Sequence, residues 1–174
     1  MNARRQNGKP RPLPDYVQKG LRLLFVGFNP GLHSARRGHY YAGPGNTFWP
    51  FLFETGLIPE RLSYSDDARL LEFGIGLTDI VQRATRGTKD LKEADFRDGE
   101  AGLRDKIRRY RPHALAFVGK GVYEKFAGSK TSLGPQTERI DGAGVFVLPS
   151  TSGANTTLTR LEKLDYFRQL AHWL

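Results

Sequence analysis

Three short apolar runs, each followed directly by residues typical of tight turns, constrain the fold more than any other feature of this chain. The runs cover residues 23–26, 114–118 and 145–148, and the turn-like segments behind them are 27–31, 119–121 and 149–153. Short runs without alternation predict strands that are buried on both faces of a parallel sheet. A further candidate strand around residues 75–77 would end at Thr78 and Asp79.

Segments with helical spacing lie between these runs, at residues 47–56, 65–74, 96–110 and 159–174. In the last segment Thr159 and Glu162 fit a capping box, and the apolar positions that recur every three or four residues are Leu161, Leu164, Phe167, Leu170 and Leu174. Strands that alternate with helices predict an α/β fold, with a mainly parallel sheet covered on both faces and its strand-end loops on one rim. Asp141 and Gly142 predict a turn before the last strand.

The charge of the chain favours a polyanionic partner. There are 27 Lys and Arg residues against 18 Asp and Glu, which gives a formal charge of +9. A basic protein that is merely soluble would share this surplus, so a polyanionic partner is the leading one of two interpretations. Basic residues and prolines interleave over residues 1–20, which predicts a flexible basic arm before a single domain at 21–174.

Several kinds of site are excluded or unsupported. With no cysteine, the chain can form no disulfide, thiolate metal site or cysteine nucleophile. Its four histidines lack metal-ligand spacing, and the phosphate-loop and dinucleotide fingerprints are absent. Ser150 and Ser152 have no histidine base nearby in sequence. Because these ligand patterns are absent, we expect neither a metal nor an organic cofactor. No apolar run approaches a membrane span and no apolar leader is present, so we expect a cytoplasmic protein.

The turn after the first run is Gly27-Phe28-Asn29-Pro30-Gly31. It places one uncharged polar side chain, that of Asn29, between a glycine that can adopt positive φ and a proline that fixes its own φ at about −65°. An ordinary Asn-Pro turn would have the same composition. Motifs further along the chain therefore decide whether this segment is a ligand-binding turn at the end of a strand or an ordinary Asn-Pro turn.

Those motifs are Tyr41-Ala42-x-Pro44-x-Asn46-x-Phe48-Trp49, Gly76-x-Thr78-Asp79-Ile80-Val81, Lys89-Asp90-Leu91 and Leu148-Pro149-Ser150-Thr151-Ser152-Gly153. Together with the first turn, they strongly resemble the mismatch-specific uracil-DNA glycosylases and thymine-DNA glycosylases, a branch of the uracil-DNA glycosylase superfamily. The resemblance covers residues 21–174. It implies a three-layer α/β/α sandwich that acts on a deoxyuridine flipped out of duplex DNA, because the glycosidic bond is inaccessible inside the stack.

The resemblance also implies roles for individual residues. Asn29 matches the asparagine that positions the attacking water. Tyr41 matches an aromatic residue, usually Phe, that stacks on the flipped base, with plain core packing as the alternative. The remaining residues expected to contact the base or its 5′ phosphate are Gly27, Phe28, Pro30, Gly31 and Ser34. Those expected to contact the DNA backbone or enter the vacated stack are Lys120, Ser150, Thr151, Ser152, Gly153, Ala154 and Asn155.

Two departures from the family pattern stand out. Ala154 and Asn155 occupy the place where relatives carry a Leu or Arg wedge, which puts the preference for an opposite guanine in doubt. Asp79 stands where relatives have an amide or a lysine. A carboxylate there can stabilise an oxocarbenium-like sugar and orient water, so we predict a catalytic role. Alternatively, Asp79 caps the following backbone or pairs with an arginine of residues 83–86.

The sequence thus predicts a monofunctional, monomeric DNA glycosylase, associated with the nucleoid, that removes uracil from mismatches in double-stranded DNA. No Schiff-base lysine is evident, since Lys120 fits a phosphate contact better. A non-catalytic DNA-binding module on the same fold is the alternative. A small-molecule nucleotide hydrolase would need a phosphate loop and metal carboxylates that the sequence lacks.

Overall fold

A computed structural model describes residues 12–174, which contain one five-stranded sheet. The strands are β1 (Leu23–Gly27), β2 (Ile75–Asp79), β3 (Ala114–Val118), β4 (Gly134–Ile140) and β5 (Ala143–Leu148). Their order is β2-β1-β3-β5-β4, and all neighbours are parallel except the antiparallel pair β4–β5. The prediction of an α/β fold with a mainly parallel sheet is therefore confirmed.

Helices cover both faces of this sheet. They are α1 (Leu32–Arg37), α2 (Phe48–Glu54), α3 (Glu93–Tyr110), α4 (Lys120–Ala127) and α5 (Arg160–Trp173), with 3₁₀ helices at Tyr64–Phe73 and Thr88–Asp90. Successive strand side chains point to opposite faces, so the sheet separates two cores. Phe25 packs on Phe48 and Phe167 on one face. Val26 lies in the other core, with Leu103 and Ile107 of α3. The result is the expected three-layer arrangement.

The structure differs from the sequence-based prediction at four places. Residues 134–140 form the edge strand β4, whereas the sequence indicated only a turn before β5; the turn itself lies at Asp141 and Gly142. Lys120, predicted to lie on a loop, is the first residue of α4. Leu161 and Leu174, predicted to lie on the apolar face of the last helix, are 69% and 44% exposed. The predicted apolar face of the last helix is confirmed at Leu164, Phe167 and Leu170, which are buried.

Part of the predicted basic arm packs against the sheet. Leu13 is buried, and Tyr16 forms an antiparallel bridge with Leu77 through two hydrogen bonds of 3.0 Å. Because β2 is an edge strand, this pairing covers backbone groups that would otherwise face solvent. The sequence of this segment is dominated by prolines and charges, but two apolar side chains, those of Leu13 and Tyr16, pack against the core and anchor it. The rest of the arm, residues 1–11, lies outside the described residues.

Candidate active site

The carboxyl ends of the parallel strands form the rim on which most of the predicted site residues lie. Gly27 ends β1 and Asp79 ends β2, and the parallel register places these two residues side by side. The loop after β5 begins at Pro149 on the same rim. In open α/β sheets, ligands bind in the crevice outside these strand ends. The geometry therefore brings the two predicted catalytic residues to one place.

Asn29 is held in a single orientation. Its Nδ2 donates to the backbone oxygen of Arg83 and to Oγ1 of Thr85, both at 2.8 Å. A carbonyl can only accept, so the nitrogen of the amide must face Arg83. The Thr85 hydroxyl in turn donates to the Gly87 carbonyl at 2.8 Å, which leaves its oxygen as the acceptor for Asn29. The Oδ1 atom of Asn29 is thereby left as a fixed acceptor.

The turn that carries Asn29 is tied to the segment after β2. Ile80 N–H donates to the Gly27 carbonyl and Val81 N–H to the Phe28 carbonyl, at 2.9 and 2.8 Å. Thr85 N–H donates to the Pro30 carbonyl at 3.2 Å, and Gly31 forms a parallel bridge with Thr85. No local pattern marks Thr85, because its partner Asn29 lies more than fifty residues away in the sequence. It is a buried residue of the site that sequence reasoning missed.

Asp79 is 5% exposed and lies against the bare backbone of Gly27. A Cβ atom added to Gly27 would lie 2.3 Å from Oδ1 of Asp79 and 3.4 Å from the hydroxyl of Tyr41. Among residues 12–174, no hydrogen bond to the Asp79 carboxyl group is formed. Burial, and then the negative charge of Asp15, raise the pKa of Asp79 to about 7, while Lys106 acts in the opposite direction. The carboxyl therefore titrates near neutral pH.

Two structural roles were considered for Asp79: pairing with an arginine of residues 83–86 and capping of the backbone that follows it. The contacts of Arg83 and of the next two backbone N–H groups do not fit these roles. Arg83, one of the arginines considered as a partner, instead donates to Asp95 of α3 at 2.6 Å. The backbone N–H groups of Ile80 and Val81 that follow Asp79 donate to carbonyls of the first turn. Buried ionisable groups with a strongly shifted pKa, as Asp79 has, concentrate at functional sites.

Tyr41 has a strained backbone and a buried hydroxyl. Its φ is +53°, which for a bulky residue costs about 1 kcal/mol or more. One face of its ring stacks on Phe48 at a centroid distance of 3.9 Å, and the residue remains partly exposed. Within the described part of the chain, the hydroxyls of Tyr41 and of its neighbour Tyr40 have no hydrogen-bonding partner. Burial raises the pKa of Tyr41 well above its usual range.

The other predicted substrate-binding residues of the first motif, Phe28, Pro30, Gly31 and Ser34, differ in burial and in their contacts. Pro30 is buried and Gly31 is exposed. Phe28 packs edge-on against Phe96. Ser34 is buried, and its Oγ accepts a hydrogen bond from Ala42 N–H at 3.1 Å, which fixes the loop beside Tyr41. The predicted contact of Ser34 with the base stays a prediction.

Residues 149–155 form a loop that packs on residues 43–47. The Thr151 carbonyl accepts from Thr47 N–H at 3.0 Å, and Thr151 is buried. A Cβ on Gly153 would lie 2.9 Å from the carbonyls of Pro44 and Gly45. The tip of the loop, residues 152–155, is exposed. The two motifs are thus in contact, with the second presenting its tip to solvent.

This loop borders a cleft of about 1700 Å³. Six of the predicted residues line it: Phe28, Lys120, Ser150, Ser152, Ala154 and Asn155. Arg86 and Lys89 add positive charge to its wall. Asn29, Tyr41 and Asp79 are not part of its lining, so the cleft does not contain the residues predicted to act in catalysis and base stacking. Nζ of Lys120 also lies 3.8 Å from Oε1 of Glu124 in its own helix, and because the Lys120 side chain is 51% exposed the amine can still reach a phosphate.

Lys163 supports the same loop from α5 and was also missed by sequence reasoning. Its side chain is buried, and Nζ donates to the Asn155 carbonyl at 2.5 Å. Burial lowers the pKa of Lys163. A buried amine with a carbonyl partner restrains the backbone of the loop directly behind its exposed tip.

No helix among residues 12–174 has the length and hydropathy to cross a membrane. In the same residues, no cluster of three or more His, Asp or Glu side chains is arranged to hold a metal ion.

Comparison with known proteins identifies the family and supports the fold. The model of the uracil DNA glycosylase superfamily matches residues 14–174. A solution NMR structure of a candidate uracil DNA glycosylase from Methanosarcina acetivorans is similar, with a TM-score of 0.61 and 23% sequence identity over 95% of this chain and 100% of that one. At that identity the likeness concerns the fold. On the family match, which extends over nearly the whole described region, the chain belongs to the uracil DNA glycosylase superfamily.

Proposed function

We propose that this protein is a DNA glycosylase that hydrolyses the N-glycosidic bond of uracil in duplex DNA, notably in U·G mismatches, by flipping the nucleotide out of the helix. The product is an abasic site. The observation that carries the proposal is that one rim holds both the fixed amide of Asn29 and the buried Asp79, which pairs with Gly27, two residues before Asn29. Membership of the superfamily supports the same chemistry.

The first step of the proposed mechanism is positioning of water. Because both hydrogens of the Asn29 amide are engaged with Arg83 and Thr85, its Oδ1 accepts a hydrogen bond from the attacking water. The amide does not take the proton, since it is not a base at neutral pH. Its contribution is orientation of the water toward the sugar carbon C1′.

The second step is stabilisation of charge. As the bond from C1′ to the base nitrogen breaks, its electron pair leaves with uracil and positive charge develops on the sugar. Asp79 in its ionised form stabilises that charge electrostatically and takes a proton from the attacking water. No metal or organic cofactor is needed for this step. The protein is monofunctional in this scheme because water, rather than a lysine amine, is the nucleophile.

DNA binding in the proposal rests on the basic wall of the cleft and on the loop at 149–155. Arg86, Lys89 and Lys120 provide contacts for phosphates that are independent of sequence. Ala154 at the exposed tip is too short to fill the space of a base, so either Asn155 enters the vacated stack or flipping relies on the weak pairing of mismatched uracil. The double-stranded partner, the monomeric state and the association with the nucleoid remain parts of this proposal.

The proposal is tested by incubating excess protein with an end-labelled duplex that contains one U·G pair. Alkaline heating should then break the strand at uracil, and omission of alkali should leave it intact. A parallel U·A duplex measures mismatch preference. An intact strand after alkali, with the duplex still retained at low salt, would identify a DNA-binding module without glycosylase activity on uracil.

Substituting Asp79 with asparagine should give a defect that depends on pH. At pH 8.5 the wild-type carboxyl is mostly ionised, and we expect the variant to be slower by about 10²-fold. At pH 5.5 the wild-type carboxyl is mostly protonated, because its pKa is about 7, and the two rates should approach each other. Single-turnover rates over this pH range measure the ratio. A ratio that stays constant with pH would assign Asp79 a structural role only.

Substitutions of Tyr41 separate its ring from its hydroxyl. Tyr41→Phe removes a buried hydroxyl that has no hydrogen-bonding partner among residues 12–174, so we expect unchanged cleavage and a gain of about 1 kcal/mol in the free energy of unfolding. Tyr41→Leu removes the stacking surface and should slow cleavage by about 10-fold or more. Chemical denaturation and single-turnover assays measure both effects. Equal rates for the Phe and Leu variants would limit Tyr41 to core packing.

A further inference from the structure

Two buried side chains from different helices hold the peptide groups on either side of Tyr41. Nε1 of Trp49, in α2, donates to the Tyr40 carbonyl at 3.1 Å. Oγ of Ser34, in α1, accepts from the Ala42 N–H at 3.1 Å. Because these two peptide groups set the φ and ψ angles of Tyr41, the two hydrogen bonds restrain its backbone directly.

Asp67 holds the preceding peptide group, the one that joins His39 to Tyr40. Its side chain is 1% exposed and belongs to the 3₁₀ helix Tyr64–Phe73. Oδ2 accepts from the Tyr40 N–H at 3.1 Å, and Oδ1 lies 3.1 Å from Nδ1 of His39. A buried carboxyl group is costly unless it is hydrogen-bonded. Here both of its oxygens bond to the two residues that lead into Tyr41.

The restrained backbone is one that a tyrosine does not adopt by preference. The φ of Tyr41 is +53°, and a bulky side chain stays in this left-handed region only where its surroundings hold it there. Its ring stacks on Phe48, and a Cβ on Gly27 at the end of β1 would lie 3.4 Å from its hydroxyl. A change in this φ would move the ring away from both neighbours. The place of the ring on the rim therefore depends on the restraint of the backbone.

We propose that Asp67 is a positioning residue which, together with Trp49, holds Tyr41 in its left-handed conformation so that the ring is in place before the flipped base arrives. This inference rests on the proposed stacking role of Tyr41. A ring that is ordered in the free protein loses little conformational freedom on binding, so the restraint strengthens stacking. Asp67 itself contacts neither base nor sugar in this scheme and acts through the backbone of Tyr40.

Removing the acceptor should slow cleavage, and a side chain that keeps an acceptor should restore it. Asp67→Ala leaves the buried Tyr40 N–H without this partner, so we expect single-turnover release of uracil from the U·G duplex to fall by about 10-fold. Asp67→Asn keeps an oxygen that can accept from the same N–H, and its rate should stay close to that of the wild type. Trp49→Phe removes the donor to the Tyr40 carbonyl and should give a smaller loss, of about threefold.

A double variant separates positioning of Tyr41 from a general structural role. In the Tyr41→Leu background the stacking ring is absent, so adding Asp67→Ala should slow cleavage no further. A purely structural role of Asp67 would slow cleavage by the same factor in both backgrounds. Equal factors, or a wild-type rate for Asp67→Ala alone, would overturn the inference. A wild-type rate for Tyr41→Leu would overturn it as well, because the ring would then have no role to support.

Asp66→Ala is the matched control in the same 3₁₀ helix. The Asp66 carboxyl caps this helix through hydrogen bonds of 2.9 Å from the backbone N–H and the hydroxyl of Ser63, and it does not hold the Tyr40 N–H. Its loss should lower the midpoint of chemical denaturation and leave the cleavage rate unchanged. A cleavage defect in Asp66→Ala as large as that in Asp67→Ala would mean that destabilisation of the helix explains both.

A measurement without cleavage separates this inference from the proposed function. The ring protons of Tyr41, assigned by their loss in Tyr41→Leu, should resonate upfield of free tyrosine because the ring stacks on Phe48. This displacement should shrink in Asp67→Ala and persist in Asp67→Asn. If it shrinks while the wild-type protein releases no uracil, Asp67 positions the ring and the glycosylase proposal fails. If uracil is released and Tyr41→Leu is defective, but the ring signals of Asp67→Ala match the wild type, this inference fails alone.

Discussion

Replacing Asn29 with alanine is expected to reduce single-turnover release of uracil by about 10³-fold at neutral pH. The reason is geometric, because the Asn29 amide is fixed by two hydrogen bonds of 2.8 Å and its Oδ1 is the acceptor left to orient water. Alanine removes this acceptor and leaves the carbonyl of Arg83 without its donor. The measurement is cleavage of the U·G duplex under excess enzyme.

Two further variants define the origin of this loss. Gln169→Ala removes an exposed amide on α5 and should leave the rate unchanged. Thr85→Val keeps Asn29 but removes one of its two partners, so an intermediate defect of about 10-fold is expected. Thermal unfolding checks that each variant is folded. An Asn29→Ala protein that retains more than one tenth of the wild-type rate would contradict the assigned role.

The second large effect is expected from Gly27→Ala. The added Cβ would lie 2.3 Å from Oδ1 of Asp79, far below a normal contact distance, and the Tyr41 hydroxyl at 3.4 Å closes the adjacent space. Relief requires displacement of a buried carboxyl or of strand β1. We expect cleavage to fall by about 10²-fold and the free energy of unfolding to fall by about 2 kcal/mol. Single-turnover assays and urea denaturation measure the two quantities.

A compensating substitution distinguishes a clash with Asp79 from a general effect on the strand. Gly27→Ala combined with Asp79→Ala removes the contact, so the double variant should recover stability but not cleavage. Gly102→Ala serves as the control glycine, because a Cβ there would meet no atom within 4 Å. Wild-type cleavage by Gly27→Ala would mean that the Asp79 carboxyl has free space and is not held where the structure places it.

The parts of the fold that the sequence predicted are those with strong local patterns. β1, β3 and β5 are continuous apolar runs that are buried at every position, so composition alone identifies them. β4 lies at an edge and is mostly exposed, with the polar sequence Gln136-Thr137-Glu138-Arg139 in its middle. α4 begins directly after Gly119, whose φ of +118° turns the chain into the helix. There the glycines indicated only a loop.

The residues of the candidate site also divide into those that a local sequence pattern marks and those that only the folded structure reveals. Asn29 and Tyr41 lie in motifs that can be recognised within a few residues, whereas Thr85, Lys106 and Asp15 act through contacts between distant parts of the chain. Nothing in the spacing of these residues marks them as partners. The pKa of Asp79 depends on burial and on two such partners, and it therefore required the folded arrangement.

The short pairing of Tyr16 with Leu77 has a consequence for local motion. Short terminal segments open more readily than the strands they cover, through fluctuations that leave the rest of a domain folded. Each such opening here would release Asp15 from Thr78 and Lys106 and, at the same moment, uncover the edge of β2. Hydrogen exchange at the amides of Tyr16 and Leu77 would report the free energy of this local opening, separately from that of global unfolding.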